Sequence, residues 1–598
     1  MHKIIWERLC AVLTWERAAC RTFSAWTTCV LLTLLREGSF EELSFARDIS
    51  LLRLLGAVAI CFVFYTVIAA VIGASLHADS WFLLLTATAC VWYWLVNYGQ
   101  SSTRFLFTLA VAVAYLLFLL YAVRANLSLL GRLRLSKTGV WVLALAAGAL
   151  SCAVIATITC LRYKTFSSPN FDFGLFCNMF YNMKESGLPL VTCERDRLLS
   201  HFAVHISPVY YLILPLYYVF PSPLTLQIAQ AVALCAGVVP VVLLARHHRL
   251  PNPIVLLLGV LYAFYPVLST GCFYDLHENC FLPLFLLFTF FFYEKRNYLC
   301  MYLFAILTLS VKEDAAVYLL LFALFVLLSE RNYLHGGILA AVSIGYFLLC
   351  GYLLTRFGTG MMINRFDNLI YNKEEGLLGA VKTALANPGY LLDQLFTTRG
   401  NTWEKVMYVL QMLLPLGLLP FCTKRASRWL LVAPLLINLL TYYTYQYDIG
   451  FQYHFGILAF LFYAVIKNLP DLELPTRRTL LGVAVACCLC FYLANVVPKL
   501  TTYTERWENG QQTYTRMEEM LDTIPEDASV TASSFLIAHI ADRDVIYELQ
   551  YHQAVDTEYV VFDLRYKVSQ NEIDLYLNSG YEISAHQEKL LLILKRVG

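Results

Sequence analysis

The sequence predicts an α-helical polytopic membrane protein with about 13–15 membrane helices and a small C-terminal extracytoplasmic α/β domain. Three observations predict it. Of the 598 residues, 59% are hydrophobic and only 14% are charged, so most of the chain is too apolar for a water-soluble globule. Apolar runs of spanning length recur between residues 50 and 498. After residue 505 the composition becomes charged and amphipathic.

A membrane-spanning helix needs about 20 mainly apolar residues. Segments that approach this length are expected near 50–75, 80–97, 104–123, 137–160, 224–245, 252–271, 279–293, 335–355, 405–423, 429–446, 451–468 and 479–498. A shorter segment near 22–35 is the weakest candidate. The run 298–329 is too long for one span and is interrupted at 312–314, which predicts two short helices or a re-entrant hairpin. Residues 207–220 contain two prolines and predict an interfacial helix.

Basic residues predict which connections face the cytoplasm, because short cytoplasmic loops are enriched in Lys and Arg. The basic clusters are Arg124, Arg132, Arg134 and Lys137; 246–249; Lys295 and Arg296; Arg331; Lys424, Arg425 and Arg428; and Lys467, Arg477 and Arg478. The remaining connections then face outward, namely 161–223, 272–278, 312–314, 356–404, 447–450 and everything after 499. The side on which the N-terminus lies stays open. The predicted location is the cell membrane, with an extracytoplasmic C-terminal domain.

These patterns divide the chain into three parts. Residues 1–135 are expected to form an N-terminal membrane module with an amphipathic start, and 136–498 a transmembrane core with a large outer loop at 161–223. Residues 499–598 are expected to form the extracytoplasmic domain. Its predicted strands are 529–533, 544–549 and 559–564 with a closing pair, and its predicted helices are 513–523, 535–541 and 570–579.

Composition also excludes some partners and sites. The formal net charge is +2 and no basic stripe is present, so no nucleic-acid partner is expected. Most of the 18 cysteines lie within apolar runs without zinc-binding spacing, which predicts small packing residues.

Asp172 is a single carboxylate between two phenylalanines, directly after a predicted membrane exit. Partial desolvation there would raise its pKa and make it a competent general base toward a hydroxyl group. The alternative is a helix N-cap, a position that Asp suits well. Both roles are compatible.

His201 and His205 are four residues apart and would share one face of a helix. They could bind a metal, a phosphate or a sugar hydroxyl, or form a structural pair. Glu194 and Asp196 flank them and are either metal ligands or part of a solvated turn. Candidate ligands for a divalent cation, Mg²⁺ or Mn²⁺, are therefore Glu194, Asp196, His201 and Glu278, and metal dependence stays open.

Three further outer connections contain ionisable residues. Asp275, His277 and Glu278 interrupt two apolar helices where a plain turn would use Gly, Asn or Ser, so they are candidate acid, base or metal groups. Lys312, Glu313 and Asp314 could hold a phosphate, or form an ion pair that only satisfies itself. Tyr453 and His454 begin an apolar run and could hydrogen-bond a sugar.

The chain resembles an uncharacterised bacterial and archaeal membrane family, domain of unknown function 2079. The resemblance lies in FDFGLFCN, HFAVHISPVYYLILPLYYVFPSPLTLQIAQA, YDLHENCFLPL, LSVKEDA and QYHFGILAFLFYA. It covers about 150–470. That family is in turn distantly similar to the glycosyltransferase C superfamily, in which an acidic residue of the first long outer loop is essential. Asp172 occupies that place, while the Asp-x-Asp pair is missing, with Glu194 and Asp196 the nearest substitute.

The resemblance implies a glycosyltransferase-C-like core and an inverting membrane enzyme. Such an enzyme takes a sugar from a polyprenyl-phosphate donor and gives it to an envelope acceptor on the extracytoplasmic side. Asp172 would be the base, with His205, Asp275, His277 and Glu278 as further catalytic residues. Substrate-binding residues would be His201, Lys312, Glu313, Asp314, Tyr453 and His454. The alternatives are a lipid or solute transporter or flippase, and a non-catalytic cell-envelope scaffold. Membrane lipids are partners in every case.

Overall fold

A computed structural model describes residues 13–37, 40, 49–72, 76–99, 103–130, 134–552 and 554–597. Within these residues, nine helices are long and apolar enough to cross a membrane. The basic residue Arg132 of the first predicted cytoplasmic cluster, and the predicted amphipathic start before residue 13, lie outside the described residues. The prediction of a polytopic helical fold is confirmed.

The N-terminal part consists of long helices, which share an apolar cluster with residues 486–494. They are α1 (Trp15–Glu37), α2 (Leu51–Ile72), α3 (Leu76–Asn97) and α4 (Arg104–Ala125), followed by the single turn α5 (Leu127–Leu130). The segment expected near 22–35 thus lies in a 23-residue helix. Arg21 of α1 and Asp79 of α3 are buried and form an ion pair of 2.9 Å. Because each charge would be costly alone in an apolar environment, the pair fixes α1 against α3.

Eleven further helices follow between residues 137 and 357. They are α6 (Lys137–Lys164), α7 (Leu175–Ser186), α8 (Leu214–Val219), α9 (Pro223–Cys235), α10 (Val238–His247), α11 (Asn252–Ala263), α12 (Pro266–Thr270), α13 (Leu282–Glu294), α14 (Tyr298–Leu309), α15 (Ala315–Leu328) and α16 (Tyr333–Phe357). Ser136 caps α6 by accepting a hydrogen bond from Gly139 N at 2.9 Å. The two short helices predicted over 298–329 are present as α14 and α15.

The remaining helices are α17 (Leu377–Ala386), α18 (Pro388–Thr397), α19 (Thr402–Leu413), α20 (Pro434–Leu440), α21 (Phe455–Asn468), α22 (Leu474–Asn495), α23 (Val497–Leu521) and α24 (Gln570–Leu577). The central one is α21, in which every residue is buried. It packs against α13, α15 and α10. With 14 residues it is too short to span a bilayer alone.

The membrane helix predicted over 429–446 is wrong. Only the seven-residue α20 lies there, between short 3₁₀ turns. Pro434 can occupy only the first turn of a helix, so no helix runs through it. After α20 the chain turns away, and Thr441 Oγ1 donates a hydrogen bond to Arg365 O at 2.7 Å. In the segment 405–423, the helix likewise ends at Leu413, and two turns that each contain a proline follow it.

The number of long apolar helices is therefore smaller than the 13–15 expected. Several apolar segments form helices of only 12–14 residues, namely α13, α14, α15 and α21, and most residues of α13, α15 and α21 are buried in the protein. Apolar composition indicates burial, but it does not distinguish burial in lipid from burial in protein. The number of spans expected from the sequence therefore includes helices that are buried in the protein as well as helices that face lipid.

Opposite ends of α13 and α21 have different surroundings. Both helices begin beside the cavities described below and end in a cluster of charged residues. There Lys467 Nζ lies 2.7 Å from Glu294 Oε1 and 2.9 Å from Glu330 Oε1. Arg428 forms an ion pair of 2.7 Å with Asp471 nearby. The residues predicted to be cytoplasmic and those predicted to be outward thus lie at opposite ends of the same helices.

The C-terminal region contains a five-stranded mixed sheet. Its strands are β3 (Val530–Ala532), β4 (Ile546–Glu548), β5 (Tyr559–Asp563), β6 (Tyr581–Gln587) and β7 (Leu591–Arg596). Their order in the sheet is β4-β3-β5-β7-β6. β3 pairs in parallel with β4 and β5, and β7 pairs in antiparallel fashion with β5 and β6. The predicted strands are confirmed, and the helix expected at 513–523 is the end of α23.

The C-terminal region packs on the long connection 161–223. Asn178 Nδ2 donates to Ala541 O at 2.9 Å, and Thr192 Oγ1 donates to Ile546 O at 2.8 Å. Within the loop, β1 (Leu190–Val191) and β2 (Leu199–Ser200) form a two-stranded hairpin. Buried hydrogen bonds between segments more than 350 residues apart hold the sheet against the hairpin, and so shape the space between them.

Candidate functional site

Two cavities lie side by side at the end of the helices where the sheet packs. The first, which we name the polar cavity, has a volume of about 400 Å³. Connections between the helices form most of its walls, and Tyr551 from the C-terminal region contributes to them. The predicted site residues that line it are Asp172, Glu194, His201, His205, His277, Glu278, Lys312 and Tyr453.

Glu278 and Lys312 form the charged floor of the polar cavity. Lys312 Nζ lies 2.8 Å from Glu278 Oε1, and both side chains are buried. Tyr210 donates a hydrogen bond of 2.6 Å to Glu278 Oε2, and His277 Nδ1 lies 2.9 Å from the same oxygen. Burial alone would raise the pKa of Glu278, but His277 and Lys312 outweigh it and hold the pKa well below its usual range. Glu278 is therefore ionised, and it holds Lys312, His277 and Tyr210 in place.

Lys312 retains its charge in this environment. Burial lowers the pKa of an ammonium group, but the carboxylates of Glu278, Asp314 and Glu313 raise the pKa of Lys312 above its usual value. Lys312 follows α14 and precedes α15, so two helix ends fix its backbone. The result is a positioned cation in the wall of the polar cavity.

Asp172 lies at the more open side of the polar cavity. Its carboxylate is 27% exposed, and His277 Nε2 is 3.7 Å from its Oδ2. Burial raises the pKa of Asp172, with smaller and opposing effects from His277 and Glu278. The N-cap alternative is wrong, because α7 begins after Gly174 without a side-chain cap. The carboxylate is thus free to accept a proton from a group in the cavity.

His201 and His205 do not share a helix, since the chain leaves a 3₁₀ turn after Ala203. His201 Nδ1 is 2.9 Å from Glu194 Oε2, and its buried Nε2 has no hydrogen-bond partner among the described residues. Burial lowers the pKa of His201, but Glu194 outweighs it and raises the pKa. His205 Nδ1 lies 2.8 Å from Glu313 Oε1. Burial and Lys312 lower the pKa of His205 to about 4, so it is neutral at pH 7.

The second cavity, which we name the apolar cavity, has a volume of about 480 Å³. Its walls are mainly apolar side chains of α15, α17 and the segment 361–369. At one end it also contacts Glu313 and Asp314. Burial raises the pKa of Asp314 to about 6, whereas the hydrogen bond from His205 and nearby positive charge outweigh burial at Glu313 and lower its pKa.

The two cavities share part of their walls. His205, Lys312, Met362, Arg365 and Tyr453 line both of them. Arg365 lies over the rings of Tyr443 and Tyr453, at 4.7 and 5.0 Å from their centroids, and forms no ion pair among the described residues. Two cations therefore stand at the boundary between a polar space and an apolar one.

Three predicted site residues are directed away from the cavities. Asp275 is buried and bound by Arg162, Ser168 and Gln227 at 2.8–3.1 Å, so it holds the loop in place. His454 is buried, and its Nε2 lies 2.9 Å from Val267 O. Asp196 contacts His552 Nδ1 at 2.6 Å. None of the three lines either cavity, because each is neutralised or hydrogen-bonded by a distant segment.

The proposed metal ligands do not form one cluster. In the part of the chain that the structure describes, no three His, Cys, Asp or Glu side chains converge on one point. Glu194 is engaged by His201, Asp196 by His552, and Glu278 by Lys312, His277 and Tyr210. We therefore derive no step through Mg²⁺ or Mn²⁺.

Sequence reasoning missed several residues of the polar cavity. They are Arg195, Tyr274, Arg365, Tyr443, Tyr445, Phe451 and Tyr551. Arg365 is the most consequential, and its signal was a single arginine in the apolar stretch MMINRF of an outer connection. The sequence around Tyr551 does not indicate a site residue, because only the long-range packing of the C-terminal region brings Tyr551 to the cavity. Its ring meets Phe171 edge to face at 5.7 Å.

Comparisons with known proteins give a family and a distant likeness in shape. The crystal structure of ArnT from Cupriavidus metallidurans bound to undecaprenyl phosphate is similar over 77% of this chain and 99% of its own, with 10% identity and a TM-score of 0.48. The crystal structure of ArnT from the same organism in the apo state is similar over 76% of this chain and 98% of its own, with 10% identity and a TM-score of 0.40. Both TM-scores are too low to bear on function. No curated protein matches the sequence. A family model described as "Predicted membrane protein (DUF2079)" matches residues 162–592, and the chain belongs to that family.

Proposed function

We propose that the chain is a membrane glycosyltransferase-like enzyme that transfers a sugar from a polyprenyl-phosphate donor to an acceptor on the extracytoplasmic side. The observation that carries the proposal is the shared wall of the two cavities. Lys312 and Arg365 stand where a polar space of about 400 Å³ meets an apolar space of about 480 Å³. A ligand that fits both spaces has a polar group, an anionic junction and a hydrocarbon chain, as a lipid-phosphate sugar does.

The donor phosphate would lie against the two cations. Lys312 is a point charge held by Glu278 at 2.8 Å, and Arg365 offers a planar fork suited to phosphate oxygens. The lipid chain would extend into the apolar cavity. The sugar would then occupy the polar cavity, whose aromatic side chains suit the apolar faces of a sugar ring.

The reaction follows from these positions. Asp172 accepts the proton of an acceptor hydroxyl group as the hydroxyl oxygen bonds to the anomeric carbon. The bond between that carbon and the phosphate oxygen breaks on the opposite face, and polyprenyl phosphate leaves with the electron pair. Lys312 and Arg365 stabilise the charge that develops on the phosphate, which we expect to be the largest contribution to the rate. Glu278 positions Lys312 and His277 rather than reacting.

The positions of the polar residues favour transfer over transport. A transporter usually gathers its polar residues near the middle of the membrane, on broken helices. Here the residues of the polar cavity come from connections at one end of the helices and from the C-terminal region. At the other end of α13 and α21 is the separate charged cluster around Lys467. These observations support a site at one membrane face, and the basic loops favour the outer face.

The test compares lipids from three strains by mass spectrometry: a strain lacking the chain, an Asp172→Asn strain and an Asp522→Asn strain. Asp522 is an exposed carboxylate outside both cavities and serves as the control. We expect one glycolipid to accumulate in the first two strains and not in the third. If no glycolipid accumulates in either of the first two strains, the transferase proposal is wrong.

A further inference from the structure

In the turn at 194–197, the acidic side chains contact other segments of the protein and the two arginines are exposed. Acidic and basic residues alternate there as Glu194, Arg195, Asp196 and Arg197. Glu194 is buried and contacts His201, and Asp196 contacts His552 of the C-terminal region. Arg195 and Arg197 are exposed and form no ion pair among the described residues. The backbone at Arg195 and Asp196 has φ of 63° and 55°, which lets neighbouring side chains point to different sides.

A third cavity lies on the arginine side of this turn. Its volume is about 400 Å³, and we name it the arginine pocket. It is lined by Arg195, Arg197, Thr359, Asn364 and the residues 360–362. The opposite wall is fixed to the outer loop, because Thr359 N donates to Ala203 O at 2.8 Å. No acidic side chain of the described chain lines this pocket, so the positive charge of its two guanidinium groups is not neutralised from within.

The arginine pocket adjoins the polar cavity. Arg195 and Met362 line both. On the polar-cavity side, His201 is 2% exposed and its Nε2 has no hydrogen-bond partner among the described residues. An anion held by the arginines would therefore lie next to the space that contains Asp172. Met361 and Met362 line the apolar cavity as well as the arginine pocket.

We infer that the arginine pocket binds a phosphate group of the acceptor substrate, so that the acceptor is an anionic molecule. That the pocket binds an anion is inferred from the pocket alone. That this anion belongs to the acceptor substrate rests on the proposed function. Guanidinium groups bind phosphate through paired N–H donors, and the side-chain amide of Asn364, which also lines the pocket, is a neutral donor. The donor phosphate has its own cations at Lys312 and Arg365, so the arginine pocket is a second anion site.

Binding of glucose 1-phosphate to the purified full-length protein tests the anion site, with methyl glucoside as the neutral probe. We expect the Arg195→Gln/Arg197→Gln variant to bind glucose 1-phosphate at least about tenfold more weakly, with unchanged binding of methyl glucoside. Lys567→Gln/Lys589→Gln removes the same charge from exposed positions elsewhere and should change neither. Equal loss in both double variants, or no loss in either, overturns the site. Because no transfer is measured, this result does not depend on the proposed function.

Two further arms test the source of the phosphate and the role as acceptor site. If lipid headgroups fit the pocket, vesicles of phosphatidylglycerol should displace glucose 1-phosphate. If the natural ligand is soluble, inorganic phosphate should displace glucose 1-phosphate and the vesicles should not. Displacement by neither overturns a phosphate site. In cells, the Arg195→Gln/Arg197→Gln strain should accumulate the same glycolipid as the Asp172→Asn strain. If Asp172→Asn causes accumulation and the arginine variant does not, the acceptor role is wrong while the transferase proposal stands.

Discussion

Replacing Lys312 by Met should separate the stability of the site from its chemistry. Lys312 and Glu278 are 3% and 1% exposed, with 2.8 Å between Nζ and Oε1. Removing the ammonium leaves a buried carboxylate without its cation, which costs about 3–5 kcal/mol of folding free energy. The proposed loss of phosphate stabilisation would also lower turnover by about 100- to 1,000-fold.

The double variant Lys312→Met/Glu278→Gln tells these effects apart. It removes both charges, so its thermal unfolding midpoint should return close to that of the wild type. Turnover should remain at the level of Lys312→Met, because no cation has been restored. Glu278→Gln alone keeps the cation and should retain turnover within about tenfold of wild type, since only positioning is impaired.

Thermal unfolding in detergent and consumption of the accumulated glycolipid in vesicles measure the two quantities. The reasoning is refuted if the double variant regains both stability and turnover, since Lys312 would then serve only to neutralise Glu278. It is refuted equally if Lys312→Met leaves the unfolding midpoint unchanged.

Three more outcomes are expected. Burial raises the pKa of Asp172, and the base must be ionised to accept a proton, so turnover should fall as pH is lowered through that raised pKa; a rate that rises at acidic pH would contradict this role. Arg162→Met leaves the buried Asp275 without its cation at 3.1 Å and should destabilise the protein by about 3–5 kcal/mol, with Arg162→Met/Asp275→Asn recovering most of the loss in a thermal unfolding assay. Alkaline phosphatase fused after Val597 should be active and the same enzyme fused after Arg296 inactive, whereas equal activity of both fusions would contradict the predicted sidedness.

Much of the fold follows from local sequence patterns. Apolar runs predicted the long helices, and short runs of strand-forming residues predicted the strands of the C-terminal sheet. Position within the bundle was not predictable from the same patterns. The helix Phe455–Asn468 is as apolar as a lipid-facing span, yet all of its residues are buried. The segment 429–446 has enough apolar residues for a span, but Pro434 and the hydrogen bond of Thr441 end the helix on both sides.

The candidate site was predictable only in part, for a related reason. Asp172, Glu278 and Lys312 lie between apolar segments and line one cavity, while their roles there stay predictions. Asp275 and His454 have the same local signal, but their partners Arg162 and Val267 are more than 100 residues away. Whether a charge faces a cavity or a buried partner depends on such long-range contacts, which single-sequence patterns do not contain.

The most direct measurement follows the accumulated glycolipid in vesicles that contain the purified protein. Transfer predicts that the glycolipid disappears while an equal amount of polyprenyl phosphate forms, and that Asp172→Asn prevents both changes. Transport predicts instead that the glycolipid stays intact and moves between leaflets. Equimolar release of polyprenyl phosphate by the wild type, lost in Asp172→Asn, is the result expected here. Movement of intact glycolipid without any polyprenyl phosphate would contradict the central claim.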